Sequence, residues 1–294
     1  MVKQLLLLFP MKTYKNAFKF QLIICIGLFL VACSRQHPLT VTILHTNDTH
    51  SQVEELEKGK RDEFCGGYAR RLGLIEQERK LDSNLILLDA GDYSQGTPYF
   101  NFYHGRIEID AMNRMGYDAI TLGNHEFDYG VDTLATILKS AKFPIVCANY
   151  NVKNSPLKDI VKPYTIICRS RVRIGIFGIG INPAGLIAEK NFAPLEYLDP
   201  LDAAQKTASL LKNKEHCDVV ICLSHQGTHP MNEKQLSDVE LAQSTRNIDI
   251  IIGGHTHKIV ENLYIQNLDG DSVLLAQAGK SGARIGKIML HLEE

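Results

Sequence analysis

The sequence predicts an α/β fold in which two β-sheets carry helices on their outer sides. In the first half, apolar runs rich in Val, Ile and Leu alternate with segments of helical periodicity. The second half opens with a hairpin pattern and closes with three further strand patterns. A hydrophobic content of 45% over 294 residues is ample for a packed core.

The N-terminal segment is predicted to precede the fold, with residues 1–32 forming a lipoprotein signal peptide. The basic stretch MKTYKNAFKF leads into QLIICIGLFLVAC, an apolar run too short for an ordinary membrane span. Its ending LVAC resembles a lipobox, so Cys33 is expected to carry lipid, with Met11 favoured as the true start. Residues 33–39 would tether a domain of residues 40–294 to a bacterial membrane. An uncleaved anchor is the alternative, and both interpretations place the domain outside the cytoplasm.

The first half predicts a βαβαβαβ series and therefore a largely parallel or mixed sheet. Gly116 is expected to close the second helix. The predicted strands are LTVTILHT, NLILLDAGD, YDAITLGNHE and FPIVCANY, and the predicted helices are GGYARRLGLIEQERKL, IEIDAMNRMG and VDTLATILKSAK.

The second half predicts a hairpin, two helix–strand units and a β-meander. The hairpin strands KPYTIICRS and RVRIGIFGIG turn near Arg169–Arg171. The helix DPLDAAQKTASLLKNKEHC leads into DVVICLSH, and a helix from about Glu233 leads into IDIIIGGHTH. The predicted meander consists of KIVENLYI, SVLLAQAG and ARIGKIMLHLE.

Charge and cysteine content narrow the functional classes. The formal net charge of -1 gives no general attraction for polyanions, so no nucleic-acid binding is expected. Cys147 and Cys222 lie in apolar runs and are predicted to be buried thiols. One disulfide among Cys65, Cys168 and Cys217 is allowed in an oxidising compartment, but the sequence does not select it.

Five apolar strands end in polar clusters rich in Asp, Asn and His. Ligand sites in α/β sheets form beyond the carboxyl ends of strands, so these five ends are predicted to share one crevice. A single Asp or His after a strand is usually a turn residue, whereas five such ends together indicate a site. The clusters are Asp48-Thr49-His50, Gly91-Asp92, Gly123-Asn124-His125-Glu126, Ser224-His225 and Gly254-His255-Thr256-His257.

The ligand types predict two divalent metal ions of the Zn, Mn or Fe kind. Carboxylate, imidazole and amide oxygen suit these ions, and no thiolate follows the five strands. An Asp can bridge two ions with its two oxygens. Such pairs lie roughly 3.5 to 4 Å apart and activate a water for attack on phosphorus.

The ordered set DTH, GD, GNHE, a lone His and GHTH resembles the calcineurin-like metallophosphoesterases. The extensions GGYARR, NHEFD and AQAGKSGARIGKI narrow the resemblance to the N-terminal catalytic domain of the 5'-nucleotidase and UDP-sugar hydrolase family. The resemblance runs from about Thr40 to the end of the chain. It implies the metallo-dependent phosphatase fold, a four-layer αββα sandwich of two mixed β-sheets flanked by helices.

The resemblance also implies roles for individual residues. His229 competes with His225 for one ligand position, but His225 directly follows the apolar strand and is the family position. Asp89 is expected to hold its loop by hydrogen bonds. One ion is implied on Asp48, His50, Asp92 and His257, and the other on Asp92, Asn124, His225 and His255, with Asp92 as the bridge.

His125 and Asp128, in NHEFD, match the family's catalytic pair. An imidazolium beside the phosphate stabilises developing negative charge, and a carboxylate three residues on can orient the ring and raise its pKa. The alternative is that His125 only supports the ligands. Either Arg70 or Arg71 is a weaker candidate for contacting phosphate, since solvated helix arginines are common.

The activity implied is that of a lipid-anchored, extracytoplasmic two-metal phosphohydrolase acting on nucleotide phosphate esters. The alternatives are a cyclic-nucleotide or nucleotide-sugar phosphodiesterase, an unselective phosphatase, or a non-catalytic metal-binding subunit of a split nucleotidase. Relatives carry a C-terminal domain that clamps the nucleobase, whereas this chain stops at MLHLEE. A separate chain resembling that domain is one expected partner, and the alternatives are an unselective phosphatase or a different phosphoester substrate. Poor selectivity for nucleotides is expected from the chain without such a partner.

Overall fold

Two six-stranded β-sheets organise the part of the chain that the structure describes. The structure is a computed structural model, and it describes residues 39–59, 62–230 and 235–292. Residues 40–291 form one compact unit.

The first sheet has the strand order β14-β1-β2-β3-β4-β6. The neighbouring pairs from β1 to β6 are parallel, as the βαβ pattern predicts. The register places Ile43 beside Ile86 and Ile120 beside Ile145, so apolar side chains line up across the sheet. Its strands are β1 Leu39–Thr46, β2 Ile86–Asp89, β3 Ala119–Ile120, β4 Ile145–Val146, β6 Val161–Lys162 and β14 Gly286–Leu292.

The second sheet has the order β12-β13-β11-β10-β8-β7. Its four central strands run parallel, and the two outermost pairs are antiparallel. A separate small pair joins β5 Tyr150–Asn151 to β9 Glu196–Tyr197. The strands of the second sheet are β7 Tyr164–Arg169, β8 Val172–Ile179, β10 Val219–Ser224, β11 Ile250–Gly253, β12 Ile259–Gln266 and β13 Ser272–Ala278.

Several helices begin or end at residues that cap them. Gly116 takes the left-handed conformation after α3, as predicted. Asp199 caps α6 by accepting a hydrogen bond from the Asp202 amide, and Ser237 forms a capping box at α7. The helices are α1 Tyr68–Leu81, α2 Pro98–Tyr103, α3 Arg106–Met115, α4 Gly130–Leu138, α5 Glu189–Phe192, α6 Pro200–Asn213 and α7 Asp238–Gln243, with a 3₁₀ turn at His125–Phe127.

Each sheet has its own hydrophobic core against helices. On the first sheet, Ile75 of α1 and Ile109 of α3 belong to the same buried cluster as Leu87 of β2. On the second sheet, Leu211 of α6 and Leu241 of α7 pack into a separate cluster. This arrangement confirms the predicted fold of two mixed sheets flanked by helices.

The two sheets meet where β8 passes the end of β4. The Ala148 amide donates to the Gly178 carbonyl at 2.8 Å, so the chain turns from the first sheet towards the second directly after Val146. A Cβ on Gly178 would collide with the Val146 carbonyl and the Thr121 hydroxyl. A glycine is therefore required for this close approach of the sheets.

Three sequence expectations are corrected by the structure. The final three strands are not a meander, because β12 and β13 pair in the second sheet while β14 lies beside β1 in the first. The last helix begins at Asp238, where the Ser237 capping box fixes its start, and the predicted start near Glu233 lies outside the described residues. The strand FPIVCANY is reduced to β4 and β5 by the turn towards the second sheet.

The described cysteines are all free thiols, namely Cys65, Cys147, Cys168, Cys217 and Cys222. Cys147 and Cys222 are buried, as predicted from their apolar runs. The disulfide allowed among the other three is not formed. Within the described ranges, no helix is both long enough and apolar enough to traverse a membrane.

Candidate metal centre

The predicted ligands converge from both sheets. Asp48 and His50 follow β1, Asp92 follows β2, and Asn124 follows β3, all in the first sheet. From the second sheet, His225 follows β10, and His255 and His257 follow β11. The carboxyl ends of these strands therefore bring the predicted side chains together.

The first ligand group consists of Asp48, His50 and His257, with one ligand atom from each lying within 4.8 Å of the others. The Nε2 atoms of His50 and His257 are 3.0 Å apart. Asp48 Oδ1 lies 3.4 Å from His257 Nε2 and 3.9 Å from His50 Nε2. These atoms surround a volume suited to one small cation.

The second ligand group consists of Asp92, His225 and His255, which satisfy the same 4.8 Å limit. His225 Nε2 lies 3.0 Å from Asp92 Oδ2 and 3.9 Å from Asp48 Oδ1, so the two groups adjoin. Asp92 belongs to this second group, and its role as the bridge to the first stays a prediction.

The orientation of two imidazoles is set by backbone carbonyls. His225 Nδ1 lies 2.7 Å from the Ala90 carbonyl, and His50 Nδ1 lies 3.3 Å from the Ser94 carbonyl. A proton held on Nδ1 by such a bond leaves the Nε2 lone pair directed at the ligand group. His255 and His257 also project from one loop towards different groups, although they are only two residues apart.

Unpartnered buried atoms show that the second group fits a metal ion. Asn124 Oδ1 and His255 Nε2 are buried and have no hydrogen-bond partner. Burial lowers the pKa of His255 to about 4, which keeps its imidazole neutral and able to donate a lone pair. Because unpaired buried polar atoms are costly, an ion at this position would satisfy both.

The protonation of His225 also indicates that the second group fits a metal ion. Burial disfavours a charged His225 ring, but the Asp92 carboxylate outweighs burial and raises the pKa of His225 to about 10. The ring therefore carries a proton when the carboxylate is its only counter-charge. A bound cation would displace that proton, because a ligand imidazole must be neutral.

The backbone at the ligands is strained. Positive φ angles near 50° to 67° occur at non-glycine ligand positions, each of which costs on the order of 1 kcal/mol. Such strain concentrates at functional sites because surrounding contacts impose it. The ligand residues in this left-handed region are Asp48, His50, Asp92, His255 and His257.

Glycines next to the ligands leave room for them. A Cβ on Gly123 would fall on the Asp92 carboxylate, and a Cβ on Gly254 would lie 2.7 Å from His225 Nδ1. The glycines in GNHE and GGHTH therefore allow the backbone to pass directly against ligand side chains.

Glu126 is a supporting residue that the sequence analysis did not identify. Its buried carboxylate accepts hydrogen bonds from the amides of Asp92, Ser94 and Gly123 at 2.9, 3.1 and 2.6 Å. Burial, together with the nearby Asp92 carboxylate, raises the pKa of Glu126 to about 8. The signal was its position in GNHE, where a carboxylate can bond back to its own loop.

Two amide side chains fix the remaining loops, and their role was also missed. Asn47 donates to Asp48 Oδ2 at 2.6 Å and to the Gly279 carbonyl at 2.8 Å. Gln277 accepts from Thr256, which separates the two histidines of GHTH, at 3.0 Å. The bonds from Asn47 to Gly279 and from Thr256 to Gln277 join positions far apart in the chain, so no local pattern could reveal them.

His125 and Asp128 form a pair at the edge of the ligand groups. His125 Nδ1 lies 3.0 Å from Asp128 Oδ2, and both side chains are about one-third exposed. The His125 amide donates to Asp92 Oδ1 at 2.9 Å, and its ring lies 5.5 Å from the His50 ring. Burial opposes the charged ring, but the hydrogen bond to Asp128 and the Asp92 carboxylate raise the pKa of His125. A histidine in this position can supply positive charge or a proton.

The other candidate residues lie outside both groups. Arg70 is exposed and pairs with Glu55 at 2.8 Å. Arg71 is buried against the Tyr68 ring, beneath Gly282, rather than solvated. His229 is exposed and belongs to neither ligand group. The Asp89 carboxylate accepts from Thr46 and from the Gly91 amide, which is the loop-holding role expected of it.

Comparison with known proteins defines the class. A family model described as calcineurin-like phosphoesterase matches residues 41–259. The chain therefore belongs to the calcineurin-like phosphoesterases.

Individual relatives show that the chain corresponds to the N-terminal domain of the 5'-nucleotidase family, as the motifs predict. Snake venom 5'-nucleotidase from Naja atra is 39% identical over 226 residues, covering 74% of this chain and 41% of that protein. The trifunctional nucleotide phosphoesterase protein YfkN from Bacillus subtilis is 30% identical over 286 residues, covering 86% and 18%. The crystal structure of the 5'-nucleotidase precursor from Thermus thermophilus superposes with a TM-score of 0.77 at 32% identity, covering 87% and 52%. The chain thus spans about half the length of these relatives, or less.

Proposed function

We propose that this chain is a two-metal phosphohydrolase that removes the phosphate of 5'-nucleotides outside the cytoplasm, anchored to a membrane through lipid on Cys33. The observation that carries the catalytic part is the meeting of two ligand groups beside the His125–Asp128 pair. One such group of side chains can occur without any catalytic role. Two adjoining groups next to a paired histidine, in contrast, suit phosphoester hydrolysis.

The proposed metal ligands divide as the two groups do. Asn124 joins the second group through its unpartnered Oδ1. Asp92 is assigned to both ions because the family resemblance implies that it is the bridge, and its Oδ2 faces His225 of the second group. The metals are divalent ions of the Zn, Mn or Fe kind, which accept this mixture of imidazole and oxygen ligands. The full proposed set is Asp48, His50, Asp92, Asn124, His225, His255 and His257.

Two divalent ions held by these ligands would supply Lewis acidity and a nucleophilic water for in-line attack on phosphorus. The rest of the chemistry belongs to protein groups. As the water oxygen bonds to phosphorus and the P–O5' bond breaks, His125 stabilises the charge on the leaving oxygen and gives it a proton. Asp128 orients the ring through Nδ1 and favours its protonated form. This pair is what argues for catalysis over a purely metal-binding subunit.

The choice of a 5'-nucleotide substrate rests on the relatives named 5'-nucleotidase. Because the chain spans only part of those proteins, substrate preference belongs to the proposal. A nucleotide phosphodiesterase is the second candidate, since one relative is a trifunctional nucleotide phosphoesterase. A partner chain resembling the C-terminal nucleotidase domain stays a prediction.

Neither Arg70 nor Arg71 is retained as a phosphate ligand. Arg70 pairs with Glu55, and the Arg71 guanidinium is buried beside Tyr68. The proposed phosphate contacts are the metals and His125.

The location is proposed from sequence alone, because Cys33 and the signal segment lie outside the described residues. The test is metabolic labelling with a fatty acid in cells that express the chain. Cys33→Ser is expected to abolish the label and leave either an uncleaved precursor or a soluble form. Normal labelling of that variant would refute the lipid anchor.

Catalysis is tested with purified chain reconstituted with Mn²⁺ or Zn²⁺. Phosphate release from adenosine 5'-monophosphate and from an aryl phosphate is expected, and excess chelator should remove it. A bis-aryl phosphate and a 2',3'-cyclic nucleotide distinguish the second candidate, because a preference for either diester would favour a phosphodiesterase. Absence of all hydrolysis with both metals bound would favour the non-catalytic subunit.

A further inference from the structure

The amino ends of the parallel strands form a surface at the end of the molecule opposite the ligand groups. In both sheets the ligands follow the carboxyl ends of strands, so the segments that precede those strands lie at the other end. The Arg169 guanidinium, at the turn before β8, donates to the Asp118 carboxylate before β3 at 2.7 Å, so the amino ends of the two sheets adjoin. We call this surface the amino-end face, and it consists of residues 79–85, 114–118, 139–144, 169–173 and 212–218.

Hydrogen bonds join the helix ends of the amino-end face to one another. Arg79, in the last turn of α1, donates to the Gly116 carbonyl after α3 at 2.6 Å. The Asn113 side chain of α3 donates to the Ser140 carbonyl after α4 at 2.9 Å. The ends of α1, α3 and α4 therefore form one continuous surface rather than separate loops.

The amino-end face is basic, although the formal net charge of the whole chain is -1. Its segments contain ten basic residues and four acidic ones, whereas the segments before β11 and β13, outside this face, carry more acidic than basic residues. Two of its four carboxylates are paired, because Asp118 contacts Arg169 and Glu215 contacts Arg173. Six exposed basic side chains of the face have no carboxylate partner among the described residues. They are Lys80, Arg114, Lys139, Lys142, Arg171 and Lys214.

Helix dipoles explain only part of this basic surface. Cationic side chains are favoured in the last turn of a helix, which accounts for Lys80 in α1 and Arg114 in α3. Arg171 lies in a hairpin turn and Lys142 lies beyond the end of α4, so the dipole does not account for them. Leu81, beside Lys80, stays 79% exposed. An apolar side chain among basic ones is typical of surfaces that lie against anionic lipid headgroups.

The path of the chain brings the amino-end face towards the membrane of the proposed lipid anchor. Strand β1 begins at Leu39, and its parallel register with β2 places this start beside the segment before β2. Cys33 lies only six residues before Leu39, a distance of roughly 20 Å even when fully extended. The eight residues of β1 then run away from this end over roughly 26 Å and lead to the first ligand group.

The end of the molecule that carries the ligand groups has the opposite charge. The loop after β1, residues 47–67, contains six acidic residues and three basic ones. An anionic lipid surface attracts nearby basic segments and repels acidic ones. We infer that the amino-end face binds an anionic phospholipid surface and holds the ligand groups on the side away from it. The orientation of the anchored protein rests on the proposed function, whereas lipid binding rests on the charges of the face itself.

Vesicle binding tests the amino-end face without the lipid anchor. The protein is residues 34–294, which contain the whole compact unit of residues 40–291. It should bind vesicles that contain phosphatidylglycerol more tightly than vesicles of phosphatidylcholine alone, and added salt should weaken this binding. Each basic residue near such a surface contributes about a fivefold change, so Lys80→Gln combined with Lys142→Gln should weaken binding about 25-fold. Lys58→Gln combined with Lys190→Gln makes the same charge change at the ligand end and should leave binding unchanged.

A spin-labelled lipid headgroup tests the orientation. In nanodiscs that contain it, the amide signals of Leu81 and Lys142 should broaden, and those of Lys58 and Lys190 should not. Equal binding to both kinds of vesicle, an equal loss in the two double variants, or broadening at Lys190 would overturn the inference. Retention on heparin without vesicle binding would also overturn it, by assigning the face to another polyanion. None of these measurements uses hydrolysis or the lipid on Cys33, so failure of the face is distinguishable from failure of the proposed function.

Discussion

The two ligand groups use the same side-chain types but differ in their contact with solvent. In the first group, the His257 side chain is 36% exposed and that of His50 is 12% exposed. In the second, the His225 side chain is fully buried and that of Asp92 is 2% exposed. Lower effective dielectric strengthens the attraction between a cation and Asp92. The buried group is therefore suited to retain an ion, whereas the open group is suited to meet substrate.

The largest effect is expected from Asp92→Asn, which removes the carboxylate assigned to both groups. If Asp92 bridges the groups, bound metal should fall to one ion or fewer per chain. Activity should fall by more than the roughly 10²- to 10⁴-fold effect of a single catalytic group. Elemental analysis and phosphate release measure the two effects. Asp132→Asn, on the exposed side of α4, is the matched control. Two bound ions in the Asp92 variant would contradict the bridge.

His125→Ala should separate catalysis from metal binding. The His125 side chain is not one of the proposed metal ligands, so the metal content of the variant should match wild type. The kcat value should fall on the order of 10²- to 10⁴-fold, because charge on the leaving oxygen loses its stabilising group. The exposed His216 provides the control, as His216→Ala. Unchanged turnover with chemistry rate-limiting would reduce His125 to a support residue.

Chelator competition should reveal the difference in burial directly. We expect the open group to release its ion at a lower chelator concentration, with apparent Kd values that differ by about 10- to 100-fold. His257→Ala should remove only the phase of metal release from the weaker site, and His225→Ala only the phase from the tighter site. A chromophoric chelator follows both phases. Simultaneous release of both ions, or the reverse order, would break the comparison between the groups.

A buried histidine without a carboxylate partner sharpens the comparison further. His45, in β1, is buried, and burial lowers its pKa from 6.5 to about 4, opposite in direction to His225. Between pH 4 and 6.5 the unfolded chain binds more protons at this residue, so its contribution to stability rises with pH and is complete above about 6.5. The difference corresponds to about 3 kcal/mol across that window.

The test compares unfolding of chelator-treated wild type with His45→Leu and His45→Gln. As pH falls from 7 to 4, both variants should gain up to that amount of stability relative to wild type. Thermal midpoints at several pH values measure it. A wild-type-to-variant difference that stays constant with pH would show that folding does not lower the pKa of His45.

The ligand positions were predictable because strand ends and residue type are both visible in sequence. His225 and His255 each follow an apolar strand, and parallel strands deliver their carboxyl ends to one edge. The placement of β14 was not predictable in this way, since its alternation fits a meander as well as an edge beside β1. Its true neighbour is seen in the strand order of the first sheet, where Gly286 packs against the His45 ring of β1. Helix α2 was likewise not predicted, because six residues are too few to give a periodic signal.

The position of β14 beside β1 determines the order in which this site can be assembled during synthesis. Strand β1 and Asp48 leave the ribosome among the first described residues, but the Ser281 amide that bonds the Asp48 carbonyl at 2.7 Å emerges only near the end of the chain. Until then, β1 lacks its β14 neighbour, and the loop after β1 is held only by its bonds to residues such as Gly91 and Asp92. Contacts so distant in sequence form late in folding. Metal capture by the first ligand group of the nascent chain should therefore wait for the loop that carries Ser281.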